Sequence, residues 1–370
     1  MSGTRVAAIL ATVALACSGS SNHQGLGGTV ATGGKAGSGG TQASGGAAGG
    51  GGGQGAGGRL DTGGTPGAGG VQAVGGVQGT GGSPGAGGGT GSCGSTSMTY
   101  DQAILCEKPV AYLAMNKLSG SEPDLTGNNH TGTYMGTATA ASTLPNGDQA
   151  ANFNGSSQYV TVASHEVFSI PITGALTWEA WIRPAVLQFP NDSGGYVDWM
   201  GKCADYSPTC EWEARMYDTT NSENRCNRIS AYVFNPSAGL GSAADWQPSC
   251  GLIQAGQWYH VVGEYTLGSQ PSDCLNASTY PGSIDIWVNG VKWNHTSHGQ
   301  TGCMSQYSVI PKANSSPVNI GTMAQDAWFQ GAIAKVAFYD FLLTPTQVTA
   351  HYKLMTGNDP TGSCADTCSF

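Results

Sequence analysis

The stretch CEWEARMYD, Cys210 to Asp218, sets two carboxylates and a guanidinium at every second position. In an extended chain alternate side chains share a face, so Glu211, Glu213 and Arg215 are expected to point one way and Trp212, Ala214 and Met216 the other. Two carboxyls on one strand face are the equipment of glycoside cleavage, one protonated as the acid and one ionised as base or nucleophile. The same residues equally make an ion-paired polar face, or a face that touches a bound ligand. The sequence leaves these three readings open.

Aromatic side chains are the second resource. The chain has nine tryptophans, and flat apolar rings with a polar tip suit ligands that are apolar on one side and hydroxylated on the other. Trp178, Trp258, Trp287 and Trp328 fall in strand-like motifs and read as core. Trp199, Trp212, Trp246 and Trp293 fall in or beside turn-rich segments and, with Arg215, are the candidates for ligand contact. Calcium needs six to eight hard oxygens, and EPDLTGNNHTG offers Asp124, Asn128 and nearby carbonyls. The competing role for that stretch is an Asx turn whose side chains satisfy backbone donors. The histidines are scattered without metal-ligand spacing, which argues against zinc. No Gly-x-Ser-x-Gly elbow precedes a helix, and the Gly-rich repeats lack the flanking strand and helix that a phosphate cradle requires.

Cysteine number bears on compartment. Of eleven cysteines, Cys17 directly follows the apolar run Val6–Ala16, which has signal-peptide length and is too short to span a membrane. The remainder are Cys93, Cys106, Cys203, Cys210, Cys226, Cys250, Cys274, Cys303, Cys364 and Cys368, an even set able to pair in an oxidising compartment. Nearness in sequence favours Cys203–Cys210, Cys226–Cys250 and Cys274–Cys303. Since the first and last strands of a sandwich can be neighbours, Cys93 and Cys106 are expected instead to cross to Cys364 and Cys368, closing a loop of more than about 200 residues. ALAC at Ala14–Cys17 is similar to the lipobox of bacterial lipoproteins, with Leu15 one place late. That resemblance implies a lipid on Cys17 and export to the outer membrane or cell surface of a Gram-negative bacterium. The alternative is an ordinary secretory signal cleaved near Ala16.

Residues 18–92 are Gly-Gly pairs spaced by small and polar residues. They hold too little apolar surface to offset the ordering entropy and read as a disordered tether of about 50 Å r.m.s. reach. A formal charge of −9 gives no basic footprint for nucleic acid. The organisation expected is a leader over 1–17, a linker over 18–92 and a folded domain over 93–370, with its core in 109–356.

The elements that must position these groups are mostly strands. In LTWEAWI, Leu176, Trp178, Ala180 and Ile182 share one face, and Thr177, Glu179 and Trp181 the other. WYHVVGEY and RISAYVF alternate similarly. In SIDIWVNGVKW, Asn289-Gly290 supplies the two positive-φ positions of a hairpin turn. One helix is expected, in TPTQVTAHYKLMTG, with Thr344 as N-cap, Gln347 closing a capping box and Gly357 beyond its end. The fold class is all-β, a sandwich with a short C-terminal helix.

VAYLAMNKLSG, DLTGNNHTGTYMG, AANFNGSSQYVTV, LTWEAWIRP, GQWYHVVGEY, IDIWVNGV, NIGT and FQGAIAKVAFYDFLLTPTQVTAHY occur in the order typical of LamG-like jelly-roll domains, which this chain resembles over about Pro109–Thr356. Those domains belong to the concanavalin A-like lectin and glucanase superfamily. The resemblance implies two curved antiparallel sheets of six or seven strands, and a mostly non-catalytic module that binds sugars, proteins or calcium or acts as a spacer. Many relatives carry an acidic pair where this chain has Ala334 and Lys335, which weakens the calcium expectation, and the related glucanases show Glu-x-Asp-x-x-Glu, which CEWEARMYD does not reproduce. Gln188–Gly256 is longer than the usual connections and reads as an insertion. The function expected is non-catalytic recognition or adhesion at the cell surface, with an extracellular glycan or a surface protein as partner and a lipid as the membrane attachment. A glycoside hydrolase or lyase using Glu211 and Glu213 is the alternative, and a spacer without ligand a third.

Overall fold

Alternation decides the architecture. Leu176, Trp178, Ala180 and Ile182 sit in the main core, while Trp181 belongs to a second apolar cluster on the opposite side of the same strand. The computed structural model describes residues 93, 97–140, 143–204, 209–221, 228–236, 241–246, 253–267, 283–293, 295–296 and 309–362, all within the unit Pro84–Phe370.

The strands are β1 (Ala111–Leu113), β2 (Ser121–Glu122), β3 (Gly132–Met135), β4 (Thr139–Ala140), β5 (Ala151–Asn154), β6 (Tyr159–Val162), β7 (Ala175–Pro184), β8 (Tyr196–Lys202) and β9 (Trp212–Tyr217). They continue with β10 (Ile229–Val233), β11 (Ser242–Trp246), β12 (Tyr259–Thr266), β13 (Ser283–Val288), β14 (Val291–Trp293), β15 (His295–Thr296), β16 (Val318–Ile320) and β17 (Gln330–Tyr339). The helices are α1 (Tyr100–Cys106), α2 (Ile170–Thr173) and α3 (Pro345–Thr356).

One sheet has eight strands in the order β14-β13-β12-β7-β17-β5-β4, with β1 also on β17, and the other has nine, β15-β11-β10-β9-β8-β16-β6-β3-β2. All pairings are antiparallel. The core between them holds Trp178 and Trp199 edge to face at 5.4 Å. Gly263 faces Trp178 across the β12–β7 register, and a Cβ there would lie 2.1 Å from the indole. Its missing side chain is the space the ring occupies.

The hairpin and the C-terminal helix form as their residues dictate. Asn289 (φ 53°) and Gly290 (φ 77°) make the turn between β13 and β14, and α3 has Thr344 and Gln347 in a capping box with Gly357 left-handed at its end. Three expectations need correction. A further helix, α1, opens the domain on a second capping box, Thr99 with Gln102. The sheets are wider than six or seven strands, because Gln188–Gly256 is no loop insertion: it supplies β8 to β11 of the nine-stranded sheet. Cys93 bonds to Cys106, 13 residues on, and does not cross to the C-terminal cysteines. Cys203 bonds to Cys210 as expected. Cys17, Cys226, Cys250, Cys274, Cys303, Cys364 and Cys368 lie outside the described residues, as do the leader and linker.

Candidate functional site

Each sheet turns one face to the core, and the two outer faces differ. On the eight-stranded sheet, α1 and α3 close over the centre. Glu179 of β7 is fully buried there. Its Oε1 accepts a hydrogen bond from Tyr100 of α1 at 2.7 Å and lies 2.8 Å from His260 Nε2. Its Oε2 lies 3.1 Å from His351 Nδ1 of α3 and accepts from the Tyr339 hydroxyl. Burial alone would raise the Glu179 carboxyl, but the His351 charge and the hydrogen bonds from both histidines outweigh it and hold the group ionised. Burial would likewise lower His351, yet Glu179 and Glu107 push it up to about 10. Trp181 stacks on His260 and on Tyr352 of α3 and donates its indole N–H to Tyr100.

A bulge in β17 between Ala334 and Ala337 turns Lys335 (φ 55°) to this same side. Its ammonium lies 2.6 Å from Asp101 of α1 and 2.7 Å from Asp148. Helices, histidines and an internal ammonium therefore seal this face.

The nine-stranded sheet carries a lattice of polar and aromatic groups on its outer face. Register aligns Tyr196 with Tyr217, then Asp198 with Arg215, Ser230 and Asp245, then Gly201 with Glu213 and Tyr232. The Arg215 guanidinium lies 3.9 Å from the Tyr232 ring centre and within 5.4 Å of those of Tyr217 and Tyr196, and it bonds Glu213 at 2.8 Å. Arg228 and Ser230 both bond Asp245. Burial raises the Asp198 carboxyl, and the neighbouring Glu213 adds to the shift. Burial also raises Glu213, with Arg215 opposing. The far half of the face, on β16, β6 and β3, is uncharged and more open. Thr133 pairs with Thr161 and Met135 with Tyr159, and Tyr159 meets Trp328 edge to face at 5.9 Å.

The sequence candidates separate. Glu211 and Glu213 do not converge: β9 begins at Trp212, and the buried Glu211 turns to the Ile170 N–H and the Ser169 hydroxyl, with Lys202 3.9 Å away. Burial pushes it up to about 7 against the Lys202 charge. Arg215 lies on the outer lattice with Glu213, and Asp198 is the carboxyl that joins them. Trp199 and Trp212 point inward and are 0% and 1% exposed, so the expected ligand contact fails for both, the alternation placing Trp212 with Ala214 and Met216. Trp293 is also buried, donating to Val288 O, and the half-buried Trp246 packs on it. Trp178 and Trp287 are buried as expected, whereas Trp258 and Trp328 are half-buried.

Asp124 and Asn128 do not form a vacant oxygen cage. Asp124 Oδ1 accepts from the Tyr112 and Thr126 N–H groups and the Thr126 hydroxyl, and Oδ2 from the His130 N–H. Asn128 gives its amide N–H to Val110 O. Four donors point at the lone pairs a calcium ion would need, so these residues do not fit the ion. Among the described residues no three His, Cys, Asp or Glu side chains are grouped to hold a metal.

Two twisted antiparallel sheets packed face to face, one of them capped by helices, define a jelly-roll sandwich. The Laminin G type 3 family, of the concanavalin A-like lectin/glucanases superfamily, matches residues 154–349, more than half of the chain, and the chain belongs to it. No curated protein matches the chain. Among solved structures it is similar to domain 4 of AbnA, a GH43 extracellular arabinanase from Geobacillus stearothermophilus, in complex with arabinotriose. That likeness has 18% identity, 66% of this chain, 98% of that one and a TM-score of 0.43. It is also similar to the receptor binding domain of botulinum neurotoxin type G, at 14% identity, 66% and 51% coverage and a TM-score of 0.45. The binding domain of Paraclostridial Mosquitocidal Protein 1 gives 15%, 67% and 52%, and 0.46. The chain spans about half the length of both toxin domains.

Proposed function

We propose that this chain is a recognition module, displayed at the outer membrane or cell surface through a lipid on Cys17, that binds extracellular glycan on the outer face of the nine-stranded sheet without cleaving it. One observation carries the reading: the two outer faces are unequal. The eight-stranded face is closed by α1 and α3 over Glu179, which leaves the nine-stranded face, with its half-buried Tyr159, Tyr196, Tyr232 and Trp328, as the side on which a ligand meets aromatic rings. Aromatic surface with a few fixed polar groups is the usual composition of a small-molecule site. A non-catalytic role is favoured because Glu211 and Glu213 have separate partners.

Affinity electrophoresis of the full chain through gels containing single polysaccharides tests it. Retardation by at least one glycan, with no reducing ends released on incubation, is the expected result. Release of reducing sugar would replace binder by hydrolase, and mobility unchanged in every gel would leave a surface protein as the partner or a spacer role.

A further inference from the structure

The open half of the nine-stranded face has features of its own. Tyr159 alternates with the core residues Val160 and Val162, so β6 directs Tyr159 and Thr161 outward. Met135 lies directly across from Tyr159 and is 41% exposed. Trp328 completes the strip at its rim.

The polar tips of the two rings are unused. Trp181, Trp212, Trp258, Trp287 and Trp293 each donate their indole N–H inside the protein. Trp328 Nε1 and Tyr159 Oη have no hydrogen-bond partner among the described residues. The Trp328 backbone is pinned nonetheless, its N–H bonding Asn191 O at 2.8 Å and that of the buried Phe329 bonding Gly321 O at 3.0 Å. With its backbone pinned and its ring packed edge to face on Tyr159, the indole loses little freedom when a ligand settles on it.

Charge distinguishes this strip from the rest of the face. Glu213, Arg215, Asp198 and Asp245 lie on β8, β9 and β11, whereas Thr133, Met135, Tyr159, Thr161 and the neighbouring Asn319 carry no charge. Among the described residues, the charged side chains nearest in sequence to this rim are carboxylates, Asp326 two residues before Trp328 and Asp192 beside Asn191.

We infer that Met135, Tyr159 and Trp328 form an angled aromatic seat for a neutral sugar ring, one ring stacking on its apolar face and the other, at 67°, walling its edge, with the Trp328 N–H, the Tyr159 hydroxyl and Thr161 taking its hydroxyl groups. The inference rests on the glycan reading above and narrows it to uncharged glycans. Among the described residues the strip offers no cation to an anionic polysaccharide.

The test is affinity electrophoresis of the full chain in gels of neutral β-glucan, xylan, arabinan and mannan and of anionic polygalacturonate, with wild type, Trp328→Ala, Tyr159→Ala and the ring-preserving Tyr159→Phe. Neutral gels are expected to retard the wild type, with affinity reduced roughly tenfold or more in each alanine variant and within about threefold in Tyr159→Phe. Melting temperatures of all variants establish that they are folded, and Trp328→Leu or Tyr159→Leu, apolar but without a ring, replaces the corresponding alanine variant if it is not. Folded alanine variants that bind as the wild type would overturn the platform while leaving the glycan reading intact. Retardation by polygalacturonate alone would overturn the neutral class. Retardation by no glycan would remove both readings.

Discussion

His351 in the C-terminal helix and Glu179 at the centre of the eight-stranded sheet are separated by 172 residues of chain and 3.1 Å of space. Neither side chain is exposed. A carboxylate in that position is tolerable because two histidines and two tyrosines surround it, and the interaction ties both capping helices to one point of the sheet. Removing one member of such a buried set leaves an uncompensated charge, which costs more than the intact pair contributes. His351→Ala is expected to lower unfolding free energy by about 3 to 5 kcal/mol, read as a fall in the urea midpoint at pH 6. A midpoint within error of wild type would show that the network is not coupled to global stability.

The pH dependence follows from groups of both signs. Glu211 and Glu264 are pushed up to about 7, in each case first by burial. Raised carboxyls stabilise most below their unfolded value, near 4.5, and that stabilisation is lost as pH rises through 7. His351, raised to about 10, contributes fully below its unfolded value and loses that contribution as pH climbs toward 10. Glu179 is depressed, so its contribution is present above 4.5 and fades in acid. Stability is therefore expected to peak near pH 5 and decline steadily to pH 9, as a series of urea titrations would show. A maximum above pH 7 contradicts this balance.

Asp124 yields a prediction about ions. Its carboxylate satisfies the Tyr112 and His130 N–H groups, so Asp124→Ala leaves them without that acceptor at a cost of about 2 kcal/mol. Melting temperatures in chelator and in millimolar calcium are expected to coincide. A rise of several degrees with calcium would mean that the ion displaces these donors.

Gly263 is tested by a single methyl. Because the Trp178 ring fills the space of a Cβ, Gly263→Ala is expected to cost about 1 to 3 kcal/mol by overpacking. Equal stability would indicate that the indole moves aside.

Attachment is tested at Cys17. Cys17→Ser is expected to move the protein from the membrane fraction to the soluble exported fraction, since an acyl chain is the apolar attachment proposed. Unchanged fractionation would refute the lipid anchor.

Period and punctuation carried much of the fold. The inward row Leu176, Trp178, Ala180 and Ile182, the Asn289-Gly290 turn and the Thr344 cap are local matters, each decided by a few adjacent residues. The first helix was legible too, in the spacing of Thr99 and Gln102, but it adjoins a Gly-rich tract whose composition obscures it. The strands of Gln188–Gly256 were harder because polar residues on their outer face are buried, so polarity no longer marks exposure. What no local pattern discloses is convergence. Glu179, His260 and His351 occupy three separate motifs, each unremarkable, and only strand order and helix docking bring them together. Glu211 and Glu213 show the reverse, two neighbours in sequence that the start of a strand sends to different partners. On the open face, Tyr159 was readable from its alternation with Val160 and Val162. Trp328 was not, because its exposure depends on where the rim residues around Asn191 and Gly321 meet its backbone.

The bond between Cys93 and Cys106 also sets a mechanical path. Tension arriving at Cys93 from the N-terminal side passes through the sulfur bridge to Cys106, the last residue of α1, and on to β1, bypassing the helix body Tyr100–Leu105. The helix rides in a closed covalent ring that bears no load. β1 lies antiparallel along β17, the strand that also holds β7 and β5, so a pull on the domain is taken up by a central strand while the packing of Tyr100 and Asp101 is left unstressed.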